Sequence, residues 1–143
     1  MAEAKFSITL RPRRLDVSSG STAIVAAEYY LMYCTEALWA YADKLGIAPQ
    51  PNMMPALIRA EISLSTPLMV GEELKISVRT TRLGRSSYAQ EYQLTESSSG
   101  RPVATVSQGW VNMDLQTGRS TPLPEEDKQK VIAFEGKENV EVA

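Results

Sequence analysis

Chemistry in this chain has to come from carboxylates, hydroxyls and amines. Its 143 residues include no histidine, and Cys34 is the single cysteine. Ser-His-Asp and Cys-His catalysis are therefore excluded within the chain. A zinc site would have to be built almost wholly from carboxylates. No Gly-rich phosphate loop of the Walker or dinucleotide type is present. Acid–base work falls to Asp, Glu, Tyr, Lys or a water that they hold. Glu36 interrupts a long apolar run, and burying it unpaired would be costly. It is expected either to bond a nearby backbone group or arginine, or to serve as a base. Asp16 follows Arg13-Arg14-Leu15. Read alone, it is a loop aspartate that caps a turn or pairs with Arg13 or Arg14. Glu28 falls near the expected start of a helix, where the dipole favours an acid. Cys34, flanked by Tyr33 and Thr35, has no evident cation to activate it and reads as a buried, inert thiol.

The elements that must position these groups follow from periodicity. Lys5 to Leu10 alternates Phe6, Ile8 and Leu10 with polar residues, as a strand with one buried face does. Pro12 ends that strand or places it on an edge. The small polar stretch Val17 to Thr22 reads as a loop, with Ser21 or Thr22 available as a cap. From Ile24 to Leu45 no Gly or Pro intervenes, and Ala, Leu and Met are frequent, which predicts a helix ended by Gly46. Being apolar nearly all round, it is expected to be central and covered on most sides. Residues 47–55, with three prolines, read as a loop. Four strands follow at Ile58 to Leu64, Leu74 to Thr80, Tyr88 to Thr95 and Val103 to Met113, separated by turn chemistry. The charged segment from Glu125 is expected on the surface or mobile. The resulting division is a domain over 1–130 and a charged C-terminal tail over 131–143. Five strands and one helix make an α+β domain with the helix on one sheet face.

Composition narrows the classes of function. The chain is 43% hydrophobic with a net charge of -2, so nothing pulls it toward nucleic acid or anionic lipid. The most apolar stretch, Ile24 to Ala42, carries Glu28 and Glu36, which argues against a bilayer span. No secretory signal is evident. With one cysteine, a reducing, cytoplasmic setting is expected.

Three groups of residues, in order, resemble the hotdog fold of the 4-hydroxybenzoyl-CoA thioesterase type over roughly Phe6 to Glu126. The first is Arg14-Leu15-Asp16, followed by Tyr30-Leu31-Met32-Tyr33, Glu36-Ala37 and Leu45-Gly46. The second runs from Ile62 to Leu74 through Pro67 and Gly71. The third runs from Val111 to Arg119, with Pro122-Leu123-Pro124 after it. The resemblance implies a five-stranded antiparallel sheet wrapped around one long central helix. It also implies a homodimer or homotetramer with active sites between subunits. Thioester hydrolysis of acyl-CoA or acyl-carrier-protein substrates follows, with no metal or redox cofactor. Asp16 matches the position of a nucleophile or base, and Ala27 or its neighbours match the backbone oxyanion donor; Glu36 is the second candidate base. Tyr29, Tyr30, Tyr33 and Trp39 are expected mostly as core or dimer contacts, with Tyr29 and Tyr30 the ones to line an acyl site together with Met53 and Met54. Arg82 and Arg85, with Arg101, are expected either on a solvated surface or against coenzyme A phosphates or an acidic carrier; Arg59 is expected at the dimer interface or against substrate. The chain departs from the family at Ala26-Ala27-Glu28-Tyr29, where a His or Tyr and an Asn usually stand, and in a longer loop after Asp16. Those departures point to a changed substrate, or to a non-catalytic acyl-binding or structural subunit.

Overall fold

The computed structural model describes residues 3–17 and 23–143. The Ser21 and Thr22 cap positions, and most of the loop expected after Asp16, lie outside the described residues. Strand β1 spans Phe6–Leu10, helix α1 Tyr29–Leu45, and strands β2 to β5 span Met53–Leu64, Leu74–Leu83, Ser87–Glu96 and Pro102–Asp114. Helix α2 (Glu125–Glu135) and the two-residue strand β6 (Glu141–Val142) follow. The sheet order is β1-β3-β4-β5-β2 with all neighbours antiparallel, and β6 adds to β3 in parallel.

One face of α1 faces the sheet. Tyr30, Tyr33, Cys34, Ala37 and Tyr41 recur at helical spacing and are buried, which is the stripe a helix needs to dock on a sheet. They pack against Leu74, Ile76 and Val78 of β3, Tyr92 and Leu94 of β4, and Val106 of β5. Alternation along these strands puts those side chains on one face. Gly46 ends α1 at φ +74°, with its N–H returned to Asp43 O. That left-handed conformation suits glycine at a helix end.

Several expectations change. The helix begins at Tyr29, not Ile24, because the preceding residues are drawn into sheet-like bonds. Val25 N–H donates to Leu68 O, Ala26 N–H donates to Asp16 O, and Val17 bridges to Val25. The helix is also not apolar and covered all round: Met32, Glu36 and Trp39 form an exposed face. The segment expected as a surface tail is packed. Val131 and Val140 bury with Leu83, Glu135 is 2% exposed, and β6 pairs with β3. Strand β2 starts at Met53, not Ile58, and runs through Pro55. An edge strand tolerates that proline because it lacks a second ladder partner.

The β4–β5 hairpin supplies a test. Glu96 accepts the N–H of Ser98 and Ser99 and both of their hydroxyls. The Ser98 N–H, then the Ser99 and Ser98 hydroxyls, hold its pKa down to about 2 from 4.5. The folded value lies below the unfolded one, so this clamp contributes stability above pH 4.5 that is lost as pH falls toward about 2. Glu96→Gln should therefore flatten the acid limb of thermal stability; an unchanged limb would refute the clamp.

Candidate active site

The start of α1 gathers three of the expected residues. Asp16 closes a short 3-10 turn, Arg14–Asp16, after β1. Its carbonyl takes the Ala26 N–H at 2.8 Å, which fixes the Asp16 loop beside the entry to the helix. The next amide, Ala27 N–H, has no hydrogen-bond partner among the described residues. The first N–H groups of a helix have no partner within it. Here Tyr29 and Tyr30 N–H are taken by Ala26 O and Ala27 O, which leaves Ala27 N–H, two residues before α1, as a donor for developing negative charge near the helix start. A cavity of about 380 Å³ opens there, lined by Ile24 to Glu28, Tyr30 and Leu64 to Pro67.

The Asp16 carboxylate is 1% exposed. Tyr33 donates its hydroxyl to Oδ2 at 2.7 Å, and the Arg13 N–H donates to the same oxygen at 3.1 Å. The Arg13 guanidinium donates to Oδ1 at 3.1 and 2.9 Å. Burial pushes the Asp16 carboxyl up, but the donors on Tyr33 and Arg13 together outweigh it and hold it below 3.8. Tyr33 moves the other way, pushed up by burial and then by Asp16, so it stays a donor. The result is a charged, fixed carboxylate at the helix entry. Asp16 lines neither this cavity nor the larger cleft described below.

The remaining expected residues, Tyr30 excepted, are placed apart. Glu36 is exposed on the outer face of α1 between Met32 and Trp39, so the burial cost expected for it does not arise. Tyr30 is buried and lines the small cavity; Tyr29 is half-buried and does not line it. Glu28 occupies the position before α1 without a side-chain cap bond. Cys34 is fully buried, its thiol pushed up to about 12 by desolvation. Arg59 is exposed on β2 and lies across Gly109 of β5. Arg82 and Arg85 are exposed around Leu83, which shares a cluster with Leu45 and Ile47 at the far end of α1. Arg101 is committed internally: it pairs with Glu72 at 2.8 Å and bonds Thr66 Oγ1 and Pro67 O. It therefore braces one wall of the small cavity.

A second, larger cleft of about 640 Å³ lies along the C-terminal half of α1, against the ends of β3, β4 and β5 and the start of α2. Met54 and Met53 border it, and so do Trp39 and Trp110. Sequence reasoning reached the methionines but missed Trp110 and Gln90 of this wall. It also missed Tyr33 as the partner of Asp16, since an aromatic on the buried stripe of a helix carries no signal of where its hydroxyl points.

Residues 12–131 match the model of the thioesterase-like superfamily. The chain belongs to that superfamily. A 1,4-dihydroxy-2-naphthoyl-CoA hydrolase of Synechococcus elongatus is 29% identical over 131 residues, covering 87% of this chain and 92% of that protein. A solved thioesterase from Thermus thermophilus, complexed with coenzyme A and Zn, is 26% identical with a TM-score of 0.78, covering 95% of this chain and 98% of that one. The solved 1,4-dihydroxy-2-naphthoyl-CoA thioesterase from Synechocystis superposes with a TM-score of 0.79 at 19% identity, covering 90% and 95% of the two chains. The fold is thus the hotdog arrangement, with α2 and β6 following its five antiparallel strands. Among the described residues no cluster of three or more Asp, Glu or Cys is placed to hold a metal ion. None of the described helices is long and apolar enough to cross a membrane.

Proposed function

We propose that this superfamily member hydrolyses acyl-CoA thioesters, with the thioester carbonyl held at the start of α1. The carrying observation is an unpartnered Ala27 N–H on the wall of the small cavity, next to Ala26, whose N–H bonds the backbone oxygen of Asp16. In this reading Ala27 N–H donates to the oxyanion as the carbonyl becomes tetrahedral, and Asp16 acts as nucleophile or as base for water. Glu36 is the alternative base, and Tyr29 and Tyr30 border the acyl carbonyl. Coenzyme A, or a protein carrier, brings phosphate for Arg59, Arg82 or Arg85 to meet. An aromatic acyl group is favoured, because two named relatives act on a naphthoyl thioester.

We place the active species as a homodimer, or a pair of dimers, in a reducing, cytoplasmic setting. Strand β2 is a 12-residue edge that leaves Met54, Leu57, Ile58 and Leu64 exposed, and α1 leaves Met32 and Trp39 exposed. A long apolar edge strand is a pairing surface.

One observation favours a second reading. The Asp16 carboxylate is buried, bonded by Arg13 and Tyr33, and lines neither cavity. A non-catalytic acyl-binding subunit would be built that way. Thiol release from aromatic, short and long acyl-CoA esters decides between them. Turnover above background, highest for the aromatic esters, is the expected result; no release from any ester, or from an acyl-carrier-protein thioester, would retire the hydrolase reading.

A further inference from the structure

One guanidinium gathers the segment that walls the small cavity. Arg101 Nη1–H and Nη2–H donate to the two oxygens of Glu72 at 2.9 and 2.8 Å. Its Nε–H donates to Thr66 Oγ1 at 3.1 Å, and Nη2–H also donates to Pro67 O at 3.1 Å. Glu72 Oε1 in turn accepts the Met69 N–H at 2.8 Å, and the Thr66 hydroxyl donates to Pro102 O at 2.6 Å. Residues 66–72 are thus closed into a loop around one planar fork. The fork stands on a fixed base. Arg101 O accepts the Glu96 N–H at 2.9 Å, and the Ser97 N–H donates to Glu73 O at 2.8 Å, so the β4–β5 turn is tied to the same loop.

The other side of that loop carries the oxyanion donor. Leu68 O accepts the Val25 N–H at 2.9 Å, Val70 N–H donates to Ala23 O at 2.7 Å, and Ile24 bridges to Met69. Ala27 follows two residues after Val25 and lines the cavity with Thr66 and Pro67. The side chains of Arg101 and Glu72 are 34% and 25% exposed, and a pair so placed adds little to overall stability. What a bidentate fork adds is direction. The Arg101 guanidinium, then the Met69 N–H, hold the Glu72 carboxyl below 4.5, so the pair stays charged through the neutral range.

We propose that Arg101 is a positioning residue for thioester hydrolysis. Through Thr66, Pro67 and Glu72 it fixes the loop that holds Val25, and so sets where the Ala27 N–H meets the carbonyl oxygen. Arg101 itself touches no substrate. The assignment rests on the reading that places the thioester carbonyl at Ala27.

Steady-state thiol release from the acyl-CoA panel, benzoyl-CoA included, tests it on the full chain beside amide hydrogen exchange at Val25 and Val70. Arg101→Ala should lower kcat by roughly 10²-fold, the cost of a small misplacement of a reacting group. KM should change by less than about threefold, since contacts with the substrate are kept. The Tm should fall by less than about 4 °C, while exchange at Val25 and Val70 quickens about tenfold. Guanidinium chloride at a non-denaturing concentration should restore part of the kcat of Arg101→Ala, because the free ion fits the vacated fork. Arg101→Lys should fall about as far, because an ammonium cannot meet a carboxylate, a hydroxyl and a carbonyl from one plane. An unchanged kcat in Arg101→Ala would overturn the proposal even with faster exchange, since the loop would then not set the donor. So would full activity in Arg101→Lys, or a loss of kcat that guanidinium does not relieve and that matches the fraction of unfolded chain. Failure of the hydrolase reading looks different: the unsubstituted chain releases no thiol from any ester. Exchange then decides alone whether Arg101 holds the Ala27 segment, faster exchange keeping that hold and unchanged exchange removing it.

Discussion

Asp16→Asn should lower thiol release by roughly 10³-fold, within the range general-base removal commonly costs, while Glu36→Gln leaves it near the level of the unsubstituted chain. The difference rests on placement. Asp16 is fixed against Ala26 by its own backbone and held ionised by Tyr33 and Arg13, whereas Glu36 is exposed on the outer face of α1. Asparagine keeps the size of the side chain, but its single carbonyl oxygen can meet only one of the two donor sets, the Arg13 guanidinium or the Tyr33 hydroxyl with the Arg13 N–H, so loss of activity reports the charge only where the thermal stability of the variant is unchanged. The pH profile adds a second readout. The lowered pKa of Asp16 keeps the base form populated to below 3.8. The acid limb of activity should therefore fall below the ordinary carboxylate range, and Tyr33→Phe, which removes one stabilising donor, should move it upward. For stability the sign is the same: a depressed folded pKa contributes above the unfolded value and is lost as pH drops through the folded one. Retained hydrolysis in Asp16→Asn, with loss in Glu36→Gln, would transfer the role of base to the helix carboxylate.

The parts of the fold that are legible in the sequence are those where one face is buried and the other wet. Leu74, Ile76 and Val78 alternate with Lys75, Ser77 and Arg79, and β3 begins where that pattern begins. The helix start is not legible, because Ile24 to Ala27 have ordinary helical composition. What removes them from α1 is bonding to Asp16 and Leu68, partners distant in sequence. Helix α2 is hidden for the opposite reason. Its charged residues conceal the few that anchor it, Val131 and Glu135, and a segment docked by a few contacts has little periodicity to show. At the candidate site, the resemblance marks Asp16 and Ala27, and the structure draws their two loops together. It does not mark Tyr33, Gln90 or Trp110. Where a hydroxyl, an amide or an indole N–H points is left open by residue type and spacing.

Glu135→Leu should destabilise the chain by about 3 kcal/mol, whereas Glu135→Gln should cost less than about 1 kcal/mol. Glu135 Oε2 alone accepts both the Tyr41 hydroxyl at 2.5 Å and the Thr80 N–H at 3.0 Å, and Tyr41 also bonds Thr80 Oγ1. All three residues are buried. Leucine would strand the Thr80 N–H and remove one partner of Tyr41, and stranded buried donors carry the larger cost. Glutamine keeps one carbonyl oxygen able to take both donors, so the contrast separates the need for an acceptor from the need for a charge. Burial, and then the bond to Glu135, push the Tyr41 phenol up, which keeps it a donor throughout the working range. This network ties α2 to α1 and β3 at the edge of the large cleft, whose lining includes Tyr41, Thr80 and Val131. Denaturant unfolding of the two variants measures the difference. Equal losses for Gln and Leu would mean that the carboxylate charge, and not its acceptor oxygen, holds the C-terminal segment down. A loss below about 1 kcal/mol for Leu would mean that α2 is held by its apolar contacts alone.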